Sequence, residues 1–175
     1  MQAQLSAATA RRGEPLPLEP ALLCRVARWI EAIPFAAWPQ QHRLADGLIR
    51  PAMVGDLEWH QFGEVTVELI RASTPRPFGH AQVRNRLLSV VMPGATIPPH
   101  TDELGSDWLT RVHVPLQTNA DAMLITGDTV RRMGYGFAYE IDTRARHAVW
   151  NAGTEPRIHL MFDLHEYAPP PGSTP

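Results

Sequence analysis

The feature that most constrains the fold is a series of short apolar runs in the second half of the chain. From Arg84 onward these runs are separated by turn-forming Pro, Gly, Asn and Asp residues. They read RLLSVVM, RVHVPL, AMLIT, FAYEI, HAVWN and RIHLMFD. Short runs with turns roughly every eight to twelve residues are typical of antiparallel sandwiches and barrels. The sequence therefore predicts a mainly β domain.

Helical periodicity is confined to the first half of the chain. A first helix is predicted to open at Glu19-Pro20, with proline in its first turn, and to end before Pro34. A second helix is predicted over about residues 57–72, although its segment VTVELI would also suit a strand. We expect both helices to pack against the outside of the β structure.

The length of 175 residues fits one domain. We expect a flexible N-terminus over residues 1–18, a single domain over 19–167 and a disordered proline-rich tail over 168–175. Within the domain, the helical part is expected over 19–80 and the β part over 84–167.

Composition argues against two classes of partner. The 16 basic and 18 acidic residues give a net charge of -2 and no basic cluster, so no nucleic acid is expected. No apolar stretch approaches the roughly 20 residues that span a bilayer, so no membrane partner is expected. Cys24 is the only cysteine, which excludes an internal disulfide and favours a cytoplasmic location. We expect Cys24 to be a buried apolar residue of the first helix.

A candidate metal site begins at His100 and Asp102, in the segment PPHTD. Residues two apart on an extended chain point to the same side, so one imidazole and one carboxylate converge there. His147, in the later run HAVWN, is placed to add a second imidazole. Two histidines and one carboxylate on one face of an octahedron leave three open positions, as in iron(II) oxygenases. The alternative is that these histidines are surface or packed core residues.

Arg157 strengthens the metal hypothesis. It lies ten positions after His147, and alternation along RIHLMFD places it on one face of a strand with His159, Met161 and Asp163. A guanidinium there can hold the far carboxylate of a dicarboxylic cosubstrate through two parallel hydrogen bonds. The alternative is a salt bridge at a sheet edge.

Together these motifs resemble the aspartyl/asparaginyl beta-hydroxylases and their bacterial relatives that hydroxylate free amino acids such as proline. The resemblance runs from about Arg86 to Asp163, through RLLSVVMPGATIPPHTD, RVHVPLQTN, GYGFAYEIDTRARHAVWNAG and PRIHLMFD in the family's order. The fold that it implies is a double-stranded β-helix, a jelly-roll, cupin-like barrel with the metal near one open end.

The resemblance also implies roles for single residues. The two histidines named above would bind the metal, and Arg157 would bind the far carboxylate of 2-oxoglutarate. Ser89, Arg111 and His113 match family positions that line the cosubstrate pocket. The alternatives are an ordinary strand hydroxyl for Ser89 and a packed barrel histidine for His113.

Asp102 bears on the choice of function. The animal peptidyl aspartyl hydroxylases resembled here have glycine at that position, so the carboxylate favours the bacterial amino-acid hydroxylases. The implied function is a non-haem iron(II)- and 2-oxoglutarate-dependent dioxygenase. It would use O2 to hydroxylate an unactivated C–H bond of an amino acid or amino-acid-derived small molecule, with succinate and CO2 as coproducts. Two alternatives stay open: a peptidyl Asp/Asn beta-hydroxylase acting on a peptide or carrier-bound residue, and a non-catalytic cupin-like metal-binding protein.

Substrate contacts are predicted from loop residues. Trp108, in the segment ELGSDWLT, is predicted to lie in a loop that covers the pocket, and Arg132 or Arg144 to hold a substrate carboxylate. The alternatives are an anchoring indole for Trp108 and solvated surface arginines for the other two. The sequence makes no prediction of oligomeric state.

Overall fold

The computed structural model describes residues 14–33, 41–43, 49–51 and 63–167. The helices in these ranges are α1 (Pro20–Glu31) and α2 (Glu64–Ser73). The strands are β1 (Leu16–Pro17), β2 (Gln41–Arg43), β3 (Ile49–Pro51), β4 (Gln82–Val91), β5 (Thr96–His100), β6 (Trp108–Gln117), β7 (Ala122–Thr126), β8 (Thr129–Arg131), β9 (Phe137–Ile141), β10 (His147–Asn151) and β11 (Arg157–His165). Each of the six predicted apolar runs lies on one of these strands.

Two antiparallel sheets form the body of the fold. The larger has the order β1-β9-β6-β11-β4 and the smaller has the order β5-β10-β7-β8. From β4 to β11 the chain passes back and forth between the two sheets, with β7 and β8 adjacent in the smaller one, in the manner of a double-stranded β-helix. A two-residue turn joins β7 to β8. A hairpin turn of this kind requires positive φ at its first central residue, and Gly127 has a φ of 55° there. The predicted mainly β fold is confirmed.

The helices cover the outer face of the larger sheet. Leu23 and Val26 of α1 and Leu69 of α2 lie in one buried cluster with alternate residues of the sheet. Those sheet residues are Leu88, Val112, Val114, Leu116, Ala138, Ile158, Leu160, Phe162 and Leu164. Apolar side chains on this face of β11 confirm the predicted alternation, and they leave the opposite face of the strand for polar groups.

The helix predictions are confirmed in type. α1 carries proline in its first turn and ends at Glu31, before Pro34. The segment VTVELI is helical, so the strand alternative is wrong. Its buried residues Thr66, Leu69 and Ile70 have helical spacing and face the sheet. Residues 57–62 of the predicted second helix lie outside the described residues.

Two expectations about the N-terminal part of the chain differ from the structure. Cys24 is exposed, because α1 turns Leu23 and Val26 to the sheet and Cys24 away from it. Within the N-terminus expected to be flexible, Leu16–Pro17 pairs with β9, and the Leu18 N–H donates to the Gly136 carbonyl at 2.9 Å. These residues are therefore part of the fold, whereas residues 1–13 and 168–175 lie outside the described ranges.

The space between the sheets is divided. One part is an apolar cluster that includes Val91, Leu124, Ile141 and Val149. The other part is lined by buried polar residues from several strands, namely Ser89, His113, His147, Arg157, His159 and Asp163. None of the described helices is long and apolar enough to cross a membrane.

Candidate metal centre and anion pocket

Strand pairing brings the two predicted imidazole ligands together. His100 ends β5 and His147 opens β10, and the two residues are direct partners in the antiparallel register. Their ring centroids lie 4.3 Å apart at an interplanar angle of 50°. Directly paired residues on neighbouring strands point to the same face of the sheet, so both rings face the barrel interior.

Hydrogen bonds orient both rings. Nδ1 of His100 lies 2.8 Å from the Pro98 carbonyl, and Nδ1 of His147 lies 3.0 Å from the Ala145 carbonyl. Since a carbonyl only accepts, each Nδ1 carries the proton and each Nε2 keeps its lone pair for a metal. Burial lowers the pKa of His147 below its usual value, which favours the neutral form that binds metals.

Asp102 supplies the third donor. Its Oδ1 lies 3.5 Å from Nε2 of His100, and the ligand atoms of His100, Asp102 and His147 all lie within 4.8 Å of one another. The Asp102 N–H donates to the Thr143 carbonyl at 3.2 Å, which ties the loop after β5 to the loop after β9. Two imidazoles and one carboxylate fit iron(II) and leave open positions for other ligands.

Arg111 lies beside this centre and is bound by two carboxylates. Its Nε and Nη2 donate to the two oxygens of Asp163 at 2.7 and 2.9 Å, and its Nη1 donates to Asp102 Oδ2 at 2.5 Å. Burial would lower the pKa of Arg111, but the two carboxylates hold it above its ordinary value. Three of the five guanidinium N–H groups are thus engaged by protein carboxylates.

Arg157 has the opposite environment. Its side chain is 2% exposed, and no carboxylate within the described ranges pairs with it. Nη2 donates to Nδ1 of His159 at 2.9 Å, while Nη1 is buried without a partner. Burial lowers the pKa of Arg157 to about 9. The predicted alternative, a salt bridge at a sheet edge, is not what the structure shows.

The residues around Arg157 also have unused hydrogen-bonding groups. Four buried atoms have no hydrogen-bond partner in the part of the chain that the structure describes: Oγ of Ser89, both nitrogens of His113 and Nε2 of His159. Ser89 is the β4 partner of His159, and the rings of His113 and His159 meet edge to face at 5.8 Å. Burial lowers the pKa of both histidines well below their usual value, so both are neutral. Buried polar groups are normally satisfied, so this set indicates an anion pocket around Arg157.

The candidate substrate residues are not gathered in this pocket. Trp108 opens β6 instead of lying in a loop, because its pairing with His165 extends the strand, and its indole N–H donates to Asp163 at 3.3 Å. Arg144 is exposed, pairs with Asp142 and lies 4.9 Å from the Trp108 ring centroid, at the rim of the site.

Arg132 lies away from the metal centre. Its Nε donates to the Ala120 carbonyl at 2.9 Å, just before β7 begins. His147 pairs with Thr126 at the other end of β7, so the length of that strand separates Arg132 from the candidate ligands. The structure therefore does not bring Arg132 together with the other predicted site residues.

Sequence reasoning assigned no role to His159 and Asp163. Alternation along β11 placed both on the face of Arg157, which was a usable signal. Their partners come from β11 itself and from β4 and β6, and that information is not contained in a single strand.

Comparisons with known proteins agree with this geometry. A family model described as aspartyl/asparaginyl beta-hydroxylase matches residues 60–166. An L-proline cis-4-hydroxylase of Rhizobium meliloti (strain 1021) is 33% identical over 94 residues, which are 53% of this chain and 34% of that protein. The chain thus spans about a third of the length of this curated relative.

Solved structures show the same fold. An oxidoreductase of the 2OG-Fe(II) oxygenase family from Burkholderia pseudomallei has a TM-score of 0.63 at 13% identity, covering 85% of this chain and 81% of that one. A Pseudomonas putida prolyl-4-hydroxylase has a TM-score of 0.60 at 12% identity, covering 89% and 91%. At these identities the likeness establishes the double-stranded β-helix.

Proposed function

The chain belongs to the aspartyl/asparaginyl beta-hydroxylase family, and we propose that it is a non-haem iron(II)- and 2-oxoglutarate-dependent dioxygenase. The observation that carries the proposal is the buried charge of Arg157, for which the described residues supply no carboxylate partner. An unpaired buried guanidinium is costly, so its presence in the same barrel as a His-Asp-His group calls for an anionic ligand near the metal.

The metal is assigned to His100, Asp102 and His147. Both imidazoles present Nε2 because their Nδ1 protons are held by backbone carbonyls, and Asp102 contributes negative charge. When iron(II), 2-oxoglutarate and O2 are bound, they supply oxidative chemistry that places one oxygen atom on a substrate C–H carbon and converts 2-oxoglutarate to succinate and CO2.

The cosubstrate is assigned to the pocket around Arg157. The guanidinium would hold the far carboxylate of 2-oxoglutarate, with Ser89 Oγ and His159 Nε2–H as further donors. His159 is neutral and its Nδ1 accepts from Arg157, so its remaining proton lies on Nε2. His113 packs edge to face against His159, and we assign it to the lining of the cosubstrate pocket.

For the substrate we propose a free amino acid or a small amino-acid derivative. Support comes from Asp102, which matches the bacterial amino-acid hydroxylases, and from the relative named L-proline cis-4-hydroxylase. Trp108 and Arg144 are proposed to shape the rim of the site, through the contact between the Arg144 guanidinium and the indole. We place the protein in the cytoplasm, where a reducing environment keeps iron in the ferrous state.

Turnover assays test the proposal. The purified chain is incubated with iron(II), ascorbate and 2-oxoglutarate, together with free amino acids including L-proline or with Asp- and Asn-containing peptides. We expect succinate in stoichiometric yield with a hydroxylated free amino acid. Succinate formed only with peptides would favour a peptidyl hydroxylase.

A matched pair of variants addresses the non-catalytic alternative. Arg157→Gln should abolish saturable 2-oxoglutarate binding, whereas Arg132→Gln removes the same charge from an exposed arginine away from the site and should bind like wild type. A protein that binds the metal but never binds 2-oxoglutarate would instead be a cupin-like metal-binding protein.

A further inference from the structure

Building on the proposed metal site, we propose that Arg111 and Asp163 form a positioning pair that holds Asp102 as a one-oxygen metal ligand. The two oxygens of Asp102 have different surroundings. Oδ2 accepts the hydrogen bond from Arg111 Nη1, whereas Oδ1 lies 3.5 Å from Nε2 of His100. Oδ1 is therefore the oxygen left for the metal, and chelation through both oxygens would break the bond to Arg111.

Arg111 is itself held in one orientation. The guanidinium is planar, and its Nε and Nη2 are bonded to both oxygens of Asp163, so the direction of Nη1 follows from that fork. Lysine offers no such fork, because its ammonium is a single point charge. The position of Asp163 therefore determines the orientation of Arg111, and through it the position of the Asp102 carboxylate.

Asp163 is in turn anchored by two neighbouring strands. Its side chain is fully buried and accepts hydrogen bonds from Asn85 Nδ2 at 2.8 Å and from the Trp108 indole at 3.3 Å. Asn85 has a φ of 49°, a conformation that asparagine tolerates better than most residues. Four N–H donors thus converge on the Asp163 carboxylate. They hold it firmly in the position from which it binds Arg111.

The charges explain why a pair is needed instead of Arg111 alone. A lone guanidinium at 2.5 Å would offset the negative charge of Asp102 and weaken it as a ligand for a dication. Asp163 cancels the Arg111 charge, so Asp102 is oriented and keeps its charge for the metal. The two arginines of the site therefore have different tasks: the buried Arg157 would bind an anion from outside, whereas the partly buried Arg111 is paired within the protein.

Metal titration of the metal-free protein tests this pair without relying on turnover. Arg111→Gln and Asp163→Asn should each weaken Co(II) binding by about 10- to 100-fold, the usual cost of losing a group that orients a ligand. The visible spectrum of the Co(II) protein should also change, because a released Asp102 would be free to bind through both oxygens and displace a water from one of the open positions. Unchanged affinity and spectrum in both variants would overturn the proposal.

A double-mutant cycle separates positioning from a direct effect. In an Asp102→Ala background, Arg111→Gln should cause no additional loss of Co(II) affinity, because the ligand that it positions is already gone. Losses that multiply would mean that Arg111 acts independently of Asp102, which contradicts the pair.

Two further variants control for the loss of a positive charge near the site and for misfolding. Arg84→Gln breaks the ion pair with Asp107 and removes the same charge nearby, yet should bind Co(II) like wild type. Arg111→Lys keeps the charge and serves if Arg111→Gln does not fold; circular dichroism reports folding, and affinity should still fall. If wild type itself binds no metal, the proposed function fails, whereas normal binding by every variant rejects only the pair.

Discussion

At the scale of single residues, Arg157 is expected to lower the stability of the ligand-free protein and to provide the charge that binds 2-oxoglutarate. It is buried, and no carboxylate within the described ranges pairs with it, which costs free energy in the ligand-free protein. We predict that Arg157→Met, which fills similar space without charge, raises the free energy of unfolding by about 1 kcal/mol while abolishing 2-oxoglutarate binding. Urea unfolding and the 2-oxoglutarate-induced shift in Tm measure the two effects. A variant that is less stable than wild type and still shifts with 2-oxoglutarate would contradict the assignment.

The three metal ligands should not be equivalent. His100→Ala and His147→Ala each remove an oriented imidazole, so tight iron(II) binding should be lost in both variants. Asp102→Gly should retain weaker binding, because both imidazoles remain in place and the resembled peptidyl hydroxylases use two histidines. Equilibrium dialysis with iron(II) under anaerobic conditions measures the affinities, and exposed His80 provides the control His80→Ala. Tight iron(II) binding by either histidine variant would contradict the ligand assignment.

At the scale of elements, the connection from β10 to β11 depends on a close approach at Gly153. The Asn119 carboxamide is bonded to Asn151 Oδ1, to the Glu155 carbonyl and to the Asp121 N–H, so it has little freedom to move. A Cβ on Gly153 would overlap this carboxamide. The Asn119 side chain, from the β6–β7 connection, thus helps to hold the loop between β10 and β11.

We predict that Gly153→Ala lowers the free energy of unfolding by about 1 to 3 kcal/mol, through overpacking and the loss of these hydrogen bonds. Gly79→Ala is the matched control, because a Cβ there meets only the Arg76 carbonyl at 3.5 Å. Chemical denaturation of both variants tests the prediction. Equal stability of Gly153→Ala and wild type would show that Asn119 moves aside at no cost.

At the scale of the whole molecule, the interior histidines should make the metal-free protein sensitive to acid. Burial holds the pKa of His113 and His159 well below the ordinary value, so the folded state keeps them neutral while the unfolded chain protonates them below about pH 6.5. The unfolded state then binds more protons. The free energy of unfolding should be highest above that pH and fall below it, by about 1.4 kcal/mol per pH unit for each histidine.

Urea unfolding between about pH 5 and pH 8 measures this slope. His113→Gln should reduce the slope by about one proton. A slope that is identical in wild type and His113→Gln would mean that His113 already carries its proton in the folded state.

Local patterns were enough to predict the six main strands, the type of the two helices and the convergence of His100 and Asp102, whereas the choice of His147 rested on a later strand and on the family resemblance. Strand alternation and turn residues act over a few positions, so RIHLMFD alone indicated that Arg157 faces away from the apolar core. The spacing of His100 and Asp102 likewise depends only on an extended backbone. These features belonged to the sequence itself because their physical cause is local.

Only the tertiary structure decided which polar groups meet. Arg111 and Arg157 have the same side chain and both face the barrel interior. Two carboxylates bind Arg111, whereas none in the described part of the chain binds Arg157. Trp108 became part of a strand through its pairing with His165, and its indole was thereby directed to Asp163. Register between strands distant in sequence sets these contacts, so no single segment contains them. Among the residues that the structure describes, that register leaves Arg157 without a carboxylate and makes Arg111 the partner of Asp102.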